Sequence, residues 1–141
     1  MKITPSLQLI TITLAATFGL ATVTVAADTA GQLPPASTKT GVTYAADIKP
    51  LFDNSCIKCH SGDKPKARLK LDSLENALKG SKDGKVITPG DSAKSFMVKC
   101  VAHVTSDHDS WMPPAHNKAN IGPLTPEQIG LIRAWIDQGA K

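Results

Sequence analysis

The chain of 141 residues predicts an all-α domain of about four short helices joined by long loops. Three observations carry this. From Val42 onward no segment alternates apolar and polar residues over a strand's length. Four segments from Val42 onward show helix start and stop signals around apolar residues spaced three and four apart. A long stretch rich in His, Pro and Asn, residues 103 to 124, shows no regular pattern.

In "TYAADIKPLFDNSC" Asp47 is the expected N-cap and Pro50 falls in the first turn, where a missing N–H is harmless. Ile48, Leu51 and Phe52 share one face, and the helix runs into Cys56. In "LDSLENALKG" Asp72 is the expected cap with Glu75 three residues on, and Gly80 is the stop. Asp91 is the expected cap of a third helix across "SAKSFMVKCVA", which places Phe96 four residues from Cys100 and Met97 four from Val101. The last helix is the best specified: Thr125 caps it, Pro126 opens it, Gln128 completes a capping box and Gly139 ends it. Ile129, Ile132 and Ile136 mark its buried stripe beside Trp135.

Residues 1–26 read as a secretory signal peptide. Lys2 precedes the apolar run "LQLITITLAATFGLATVTVAA", which ends in small residues at Val25, Ala26 and Ala27. An uncleaved membrane anchor is the alternative, and either way the domain works outside the cytoplasm. Cleavage would remove one of the 16 basic residues and none of the 12 acidic ones, lowering the formal charge from +4 to +3. That mild bias, without basic runs interleaved with aromatics, points away from nucleic acid. Residues 27–42 read as a flexible, disordered or extended leader, and 43–141 as the working domain.

The chemistry is concentrated in "SCIKCHSGDKPK", residues 55 to 66. A redox dithiol would space its cysteines as Cys56 and Cys59 do, but it follows a strand and has no use for His60. A Cys₃His zinc site could enlist Cys100 and His103, yet it leaves His60 unexplained and would have to load metal where oxidation competes. C-x-x-C-H as a c-type haem attachment explains all three residues. Cys56 and Cys59, one helical turn apart, would bond the two vinyl groups on one porphyrin edge, and His60 would coordinate the iron.

Such a haem needs a sixth ligand or an open position. Candidates are Met97, His103, His108, Met112 and His116. Met112 in "WMPP" is favoured, because Pro113 and Pro114 stiffen the backbone that would hold its thioether over the iron. Met97 reads as core filler, and the histidines as solvated.

The run from about Tyr44 to Ala140 resembles the planctomycete-type cytochrome c domain, a class I-like mono-haem module. The matching residues are "DIKPLFDNSCIKCHSGDKPKARLKLDS", "GKVITPGDSAKS", "MPP" and "LTPEQIGLIRAWIDQGA". The resemblance implies a small cytochrome c-like fold around one covalent haem c, held by Cys56 and Cys59, with His60 and Met112 as axial ligands. It implies maturation outside the cytoplasm, in the periplasm, and first and last helices packed together beside the haem. It also implies that Pro89 and Gly90 turn the third helix under the haem edge, and that Trp135 packs on the first helix or the ring. The chain departs from the pattern at Cys100, in the histidine-rich loop before Trp111, and in lacking the glycines that often precede "LKLD". Cys100 reads as a small buried hydrophobe rather than a reactive thiol.

A His/Met haem has no position for substrate, so one-electron transfer is the expected function. An open sixth site would instead suit a haem sensor or a peroxidase-like enzyme. Lys58, Lys64, Lys66, Arg68 and Lys70 surround the attachment motif and would steer an acidic redox partner toward it; otherwise they are ordinary solvated cations. Nothing resembles a coiled-coil seam, and a monomer is expected.

Overall fold

The computed structural model describes residues 31–141, so the proposed signal peptide lies outside the described residues. The regular secondary structure among the described residues is helical apart from one isolated bridge between Ser81 and Gly84. The helices are α1 (Lys49–Ser55), α2 (Leu74–Lys79), α3 (Phe96–Val101) and α4 (Pro126–Asp137). A wider π-type turn, Tyr44–Ile48, leads into α1, and tight 3₁₀ turns occupy Lys66–Arg68 and His108–Ser110.

Three of the four helix starts differ from expectation, the first two because another side chain reaches the free N–H groups and the third because the chain turns before it becomes helical. The first helical stretch begins at Thr43, whose hydroxyl accepts from the Ala46 N–H, while Asp47 reaches back to accept from the Thr43 N–H at 2.9 Å. Ser73, not Asp72, caps α2 by accepting from the Asn76 N–H, and Asp72 accepts from the Asn76 side-chain amide at 2.7 Å instead. Asp91 caps only a turn, accepting from the Lys94 N–H at 3.0 Å, and α3 begins later, after Ser95. Ser95 turns its hydroxyl inward to the backbone of Thr88 and Asp91, so the chain from 88 to 95 folds on itself before it becomes helical. At α4 the capping box of Thr125 and Gln128 forms as expected, and Gly139 ends the helix with φ +97°.

Three aromatic side chains join the first and last helical segments. Tyr44, Phe52 and Trp135 meet in pairs with ring centroids 5.9–6.2 Å apart, and the Phe52–Trp135 pair crosses at 88°. Ile48, Ile132, Ile136 and Trp135 around them are fully buried. Trp135 therefore packs against the first helix, and its indole N–H donates to the Lys141 carbonyl at 3.0 Å. The Pro89–Gly90 turn is tied to α4: the Gly90 N–H donates to the Ile136 carbonyl at 2.7 Å. Next to it, Asp137 accepts from both the N–H and the hydroxyl of Ser92, whose oxygen in turn accepts from Arg133 Nε at 3.0 Å.

Among the described residues, 34–42 are pinned along α4. Ser37 N–H donates to the Gly130 carbonyl at 2.9 Å, and Arg133 donates to the Pro34 carbonyl. Gln138 accepts from the Val42 N–H at 3.1 Å and donates to the Lys39 carbonyl at 2.8 Å. Composition underestimates this order because the partners are backbone groups and long polar side chains of α4. Gly130 permits the approach: a Cβ there would sit 2.7 Å from the Pro35 carbonyl oxygen. Gly130→Ala should leave α4 intact, since alanine favours helix by about 1 kcal/mol, but lift the leader. Tryptic cleavage after the exposed Lys39 should then accelerate, and an unchanged cleavage rate would show that the close approach does not hold the leader.

Candidate functional site

Helix α1 delivers the C-x-x-C-H motif in a defined shape. The Phe52 carbonyl accepts from the N–H groups of both Cys56 and Ile57, at 2.8 and 3.0 Å. One step on, the Cys56 carbonyl accepts from Cys59 and His60 at 3.1 and 3.0 Å. The motif is thus one more helical turn, which sets the two cysteines a turn apart as the spacing requires. Cys56 is half-buried and Cys59 exposed. Burial, with Cys59 adjacent, pushes the Cys56 thiol up to about 12.

His60 is held through its backbone at both ends. Its N–H bonds to Cys56, and its carbonyl accepts from Leu71 N–H at 2.8 Å. The carbonyl of the same Leu71 accepts from the buried Tyr44 hydroxyl at 2.9 Å, so the aromatic core is linked to the motif through one residue. The imidazole Nδ1 is buried without a hydrogen-bond partner. Burial holds His60 below the ordinary histidine range, while the nearby backbone of Leu69 and Lys66 pulls weakly the other way.

Cys56, Cys59 and His60 face a cavity of about 600 Å³, within the roughly 300–1,000 Å³ usual for cofactor-sized sites. Leu69, Leu71 and Val86 contribute to its walls, with Met97, Cys100 and Val101 of α3 and Met112, Pro113 and Pro114 of the long loop. Of the five candidate sixth ligands only Met97 and Met112 line this cavity; His103, His108 and His116 do not. Met97 is buried in the core, whereas Met112 is partly exposed and packs against the core's edge. Cys100 is buried as expected, but it also lines the cavity, and burial raises its thiol against a hydrogen bond from Ser110. Phe96, four residues before Cys100 on α3, is half exposed on the same cavity wall.

The residues fit a c-type haem on three grounds: predominantly apolar walls, the paired thiols of one helical turn, and a half-buried imidazole whose Nδ1 is buried and unpaired. They do not fit zinc. Among the described residues no three His, Cys, Asp or Glu side chains converge on a point where a metal could be held.

The five cations near the motif do not act as one group. Lys64, Arg68 and Lys70 line a shallow depression with Asp63 and Pro65, while Lys58 and Lys66 are exposed elsewhere. None of the five takes part in an ion pair among the described residues. The turn that carries Lys66 and Arg68 is strained: Ala67 and Arg68 both have φ +53°, a region that costs a residue with a Cβ about 1–2 kcal/mol. Hydrogen bonds on either side hold it, from Lys66 N–H to the Cys59 carbonyl and from Lys82 N–H to the Ala67 carbonyl, both 2.9 Å.

Sequence reasoning missed Tyr44 and Leu71 as supports of the motif, because their link spans 27 residues and runs through a backbone carbonyl. It also missed the ring contacts around Trp111, described below.

The family model described as Planctomycete cytochrome C matches residues 56–116, from the first motif cysteine to four residues past Met112. This stretch, under half of the chain, is similar to a planctomycete-type cytochrome c domain, and the similarity supports haem binding. None of the curated proteins and none of the solved structures matches the chain.

The Tyr44 hydroxyl is pushed up to about 12 by burial first and by Asp53, Asp72 and Cys56 next. Because the folded value lies above the ordinary 10, this contribution is complete below pH 10 and is lost as the pH rises toward 12. Tyr44→Phe leaves the Leu71 carbonyl unpaired and should cost about 1–3 kcal/mol at neutral pH. Urea unfolding of both proteins across pH 8–12 should show a shallower alkaline loss in the variant; parallel curves would remove Tyr44 as the titrating group.

Proposed function

We propose that the chain is an exported mono-haem c-type cytochrome that carries single electrons in the periplasm. The reading rests on one observation: the three C-x-x-C-H residues and Met112 line the same apolar cavity, although 52 residues separate His60 from Met112 in the chain. Cys56 and Cys59 would hold the haem by thioether bonds, His60 and Met112 would be its axial ligands, and the bound haem would supply a one-electron ferric–ferrous couple.

The chain's own residues favour that use over catalysis. Two protein ligands leave no position for substrate. Leu69, Leu71, Val86 and Val101 keep water from the interior, which reduces the solvent rearrangement that accompanies a change of charge. The partly buried thioether of Met112 is a soft, neutral donor and favours the ferrous state. Lys64, Arg68 and Lys70, clustered beside the motif, would guide an acidic redox protein to this face, with rates that fall as salt rises. The protein would act as a monomer, free if its signal segment is removed and membrane-held if it is kept.

Expressed in cells able to mature c-type cytochromes, the protein should have an intact mass above that of the polypeptide by one haem. Cys56→Ala with Cys59→Ala should abolish the increment. An unmodified mass in the wild type would sink the proposal. The oxidised protein should be low-spin with a methionine-to-iron charge-transfer band. Met112→Ala should lose that band and bind carbon monoxide at once when reduced. High-spin wild-type haem that takes up carbon monoxide directly would indicate the sensor or peroxidase-like reading instead.

A further inference from the structure

Helix α3 ends in a way that glycine usually serves. Beyond Ala102 the His103 N–H bonds to the Cys100 carbonyl at 3.2 Å and the Val104 N–H to the Lys99 carbonyl at 3.1 Å, the pair of bonds that closes a helix through a left-handed residue. That residue is His103, with φ +56°. A side chain with a Cβ is strained there, and such strain persists only where the surroundings enforce it. Enforcement comes from the ring. The His103 imidazole lies parallel to the Trp111 indole, 4.8 Å between centroids at 5°, and His108 packs on the same indole at 4.1 Å.

The ring also makes a directional contact. His103 Nε2 lies 3.1 Å from the Met112 carbonyl oxygen. A carbonyl can only accept, so this nitrogen carries the hydrogen and donates it. On its other side, the Met112 N–H donates to the Cys100 carbonyl at 3.1 Å. Both polar groups of the Met112 backbone are therefore held from the end of α3, one by the helix backbone and one by His103. Trp111, the residue before Met112, is fixed as well: its indole N–H donates to the Thr105 carbonyl at 3.2 Å. His103 does not line the cavity, so its part is played through Met112.

We propose that His103 is a positioning residue which holds Met112 against the haem cavity by donating to its carbonyl and stacking on Trp111. This rests on the reading of Met112 as the sixth ligand. Without His103 the loop keeps its prolines but loses the hydrogen bond that sets where the thioether points, and an outside ligand should compete more easily.

The test uses the mature haem protein and imidazole as the probe. His103→Gly suits the left-handed position and should retain the wild-type helical circular dichroism. Its ferric methionine-to-iron band should weaken or vanish, and its affinity for imidazole should rise at least tenfold. His103→Asn, which also tolerates the left-handed backbone, should behave likewise and serves if the glycine variant does not fold. A folded variant with an intact band and unchanged imidazole affinity overturns the positioning role and leaves Met112 ligation standing. A wild type that lacks the band overturns both.

Discussion

The site depends on the hydrogen bonds at Leu71. Its carbonyl takes the Tyr44 hydroxyl and its N–H goes to His60, so the ring cluster at the centre of the core is two hydrogen bonds from the motif. A buried carbonyl in an apolar surround must be paired, because stranding it costs more than a typical hydrogen bond contributes. Tyrosine meets that need with the hydroxyl of a residue whose ring already packs on Phe52 and Trp135. The consequence is a histidine whose main chain cannot drift while the core is formed. Its imidazole is left buried and short of one partner.

The two sides of the cavity are built on different principles. The motif side is local and helical: α1, one further turn, and a strained loop folded back on it. The opposite contributors, Met97, Cys100 and Met112, come from α3 and the long loop, whose one helical piece among the described residues is the short 3₁₀ turn His108–Ser110. Order there comes from side chains instead, chiefly the contacts of Trp111 and the backbone bonds at Met112. This division suits a cofactor that must be fixed at one face and ligated at another. Anchors benefit from rigid helical spacing, while a thioether ligand needs a stiff but adjustable support.

Much of this was legible in the sequence, and for identifiable reasons. The all-helical class, the buried stripe of α4 and its capping box depend on residues within four positions of each other, the range over which helical periodicity speaks. The same is true of Cys56, Cys59 and His60. Caps were harder where neighbours compete: Asp72 and Ser73 are both good caps, and only the structure shows that Ser73 faces the free N–H. Composition does not reveal what holds the residues before Val42, because their partners Gly130, Arg133 and Gln138 lie nearly a hundred residues later. His103 was read as a solvated loop residue. Its single clue is its place two residues past the end of α3, where a glycine would be unremarkable and a histidine is not.

The placement of the two tryptophans has an optical consequence. The chain contains only these two, and they occupy unlike surroundings. Trp135 is sealed in the core against Tyr44 and Phe52. Trp111 is partly exposed and overlain by imidazoles on the loop that carries Met112. Emission from the first reports on the integrity of the helical core, and emission from the second on the state of the loop. Replacing either one leaves a chain with a single tryptophan, whose emission can be excited apart from that of Tyr44, so loosening of the loop and melting of the domain can be followed as separate events without attaching a label.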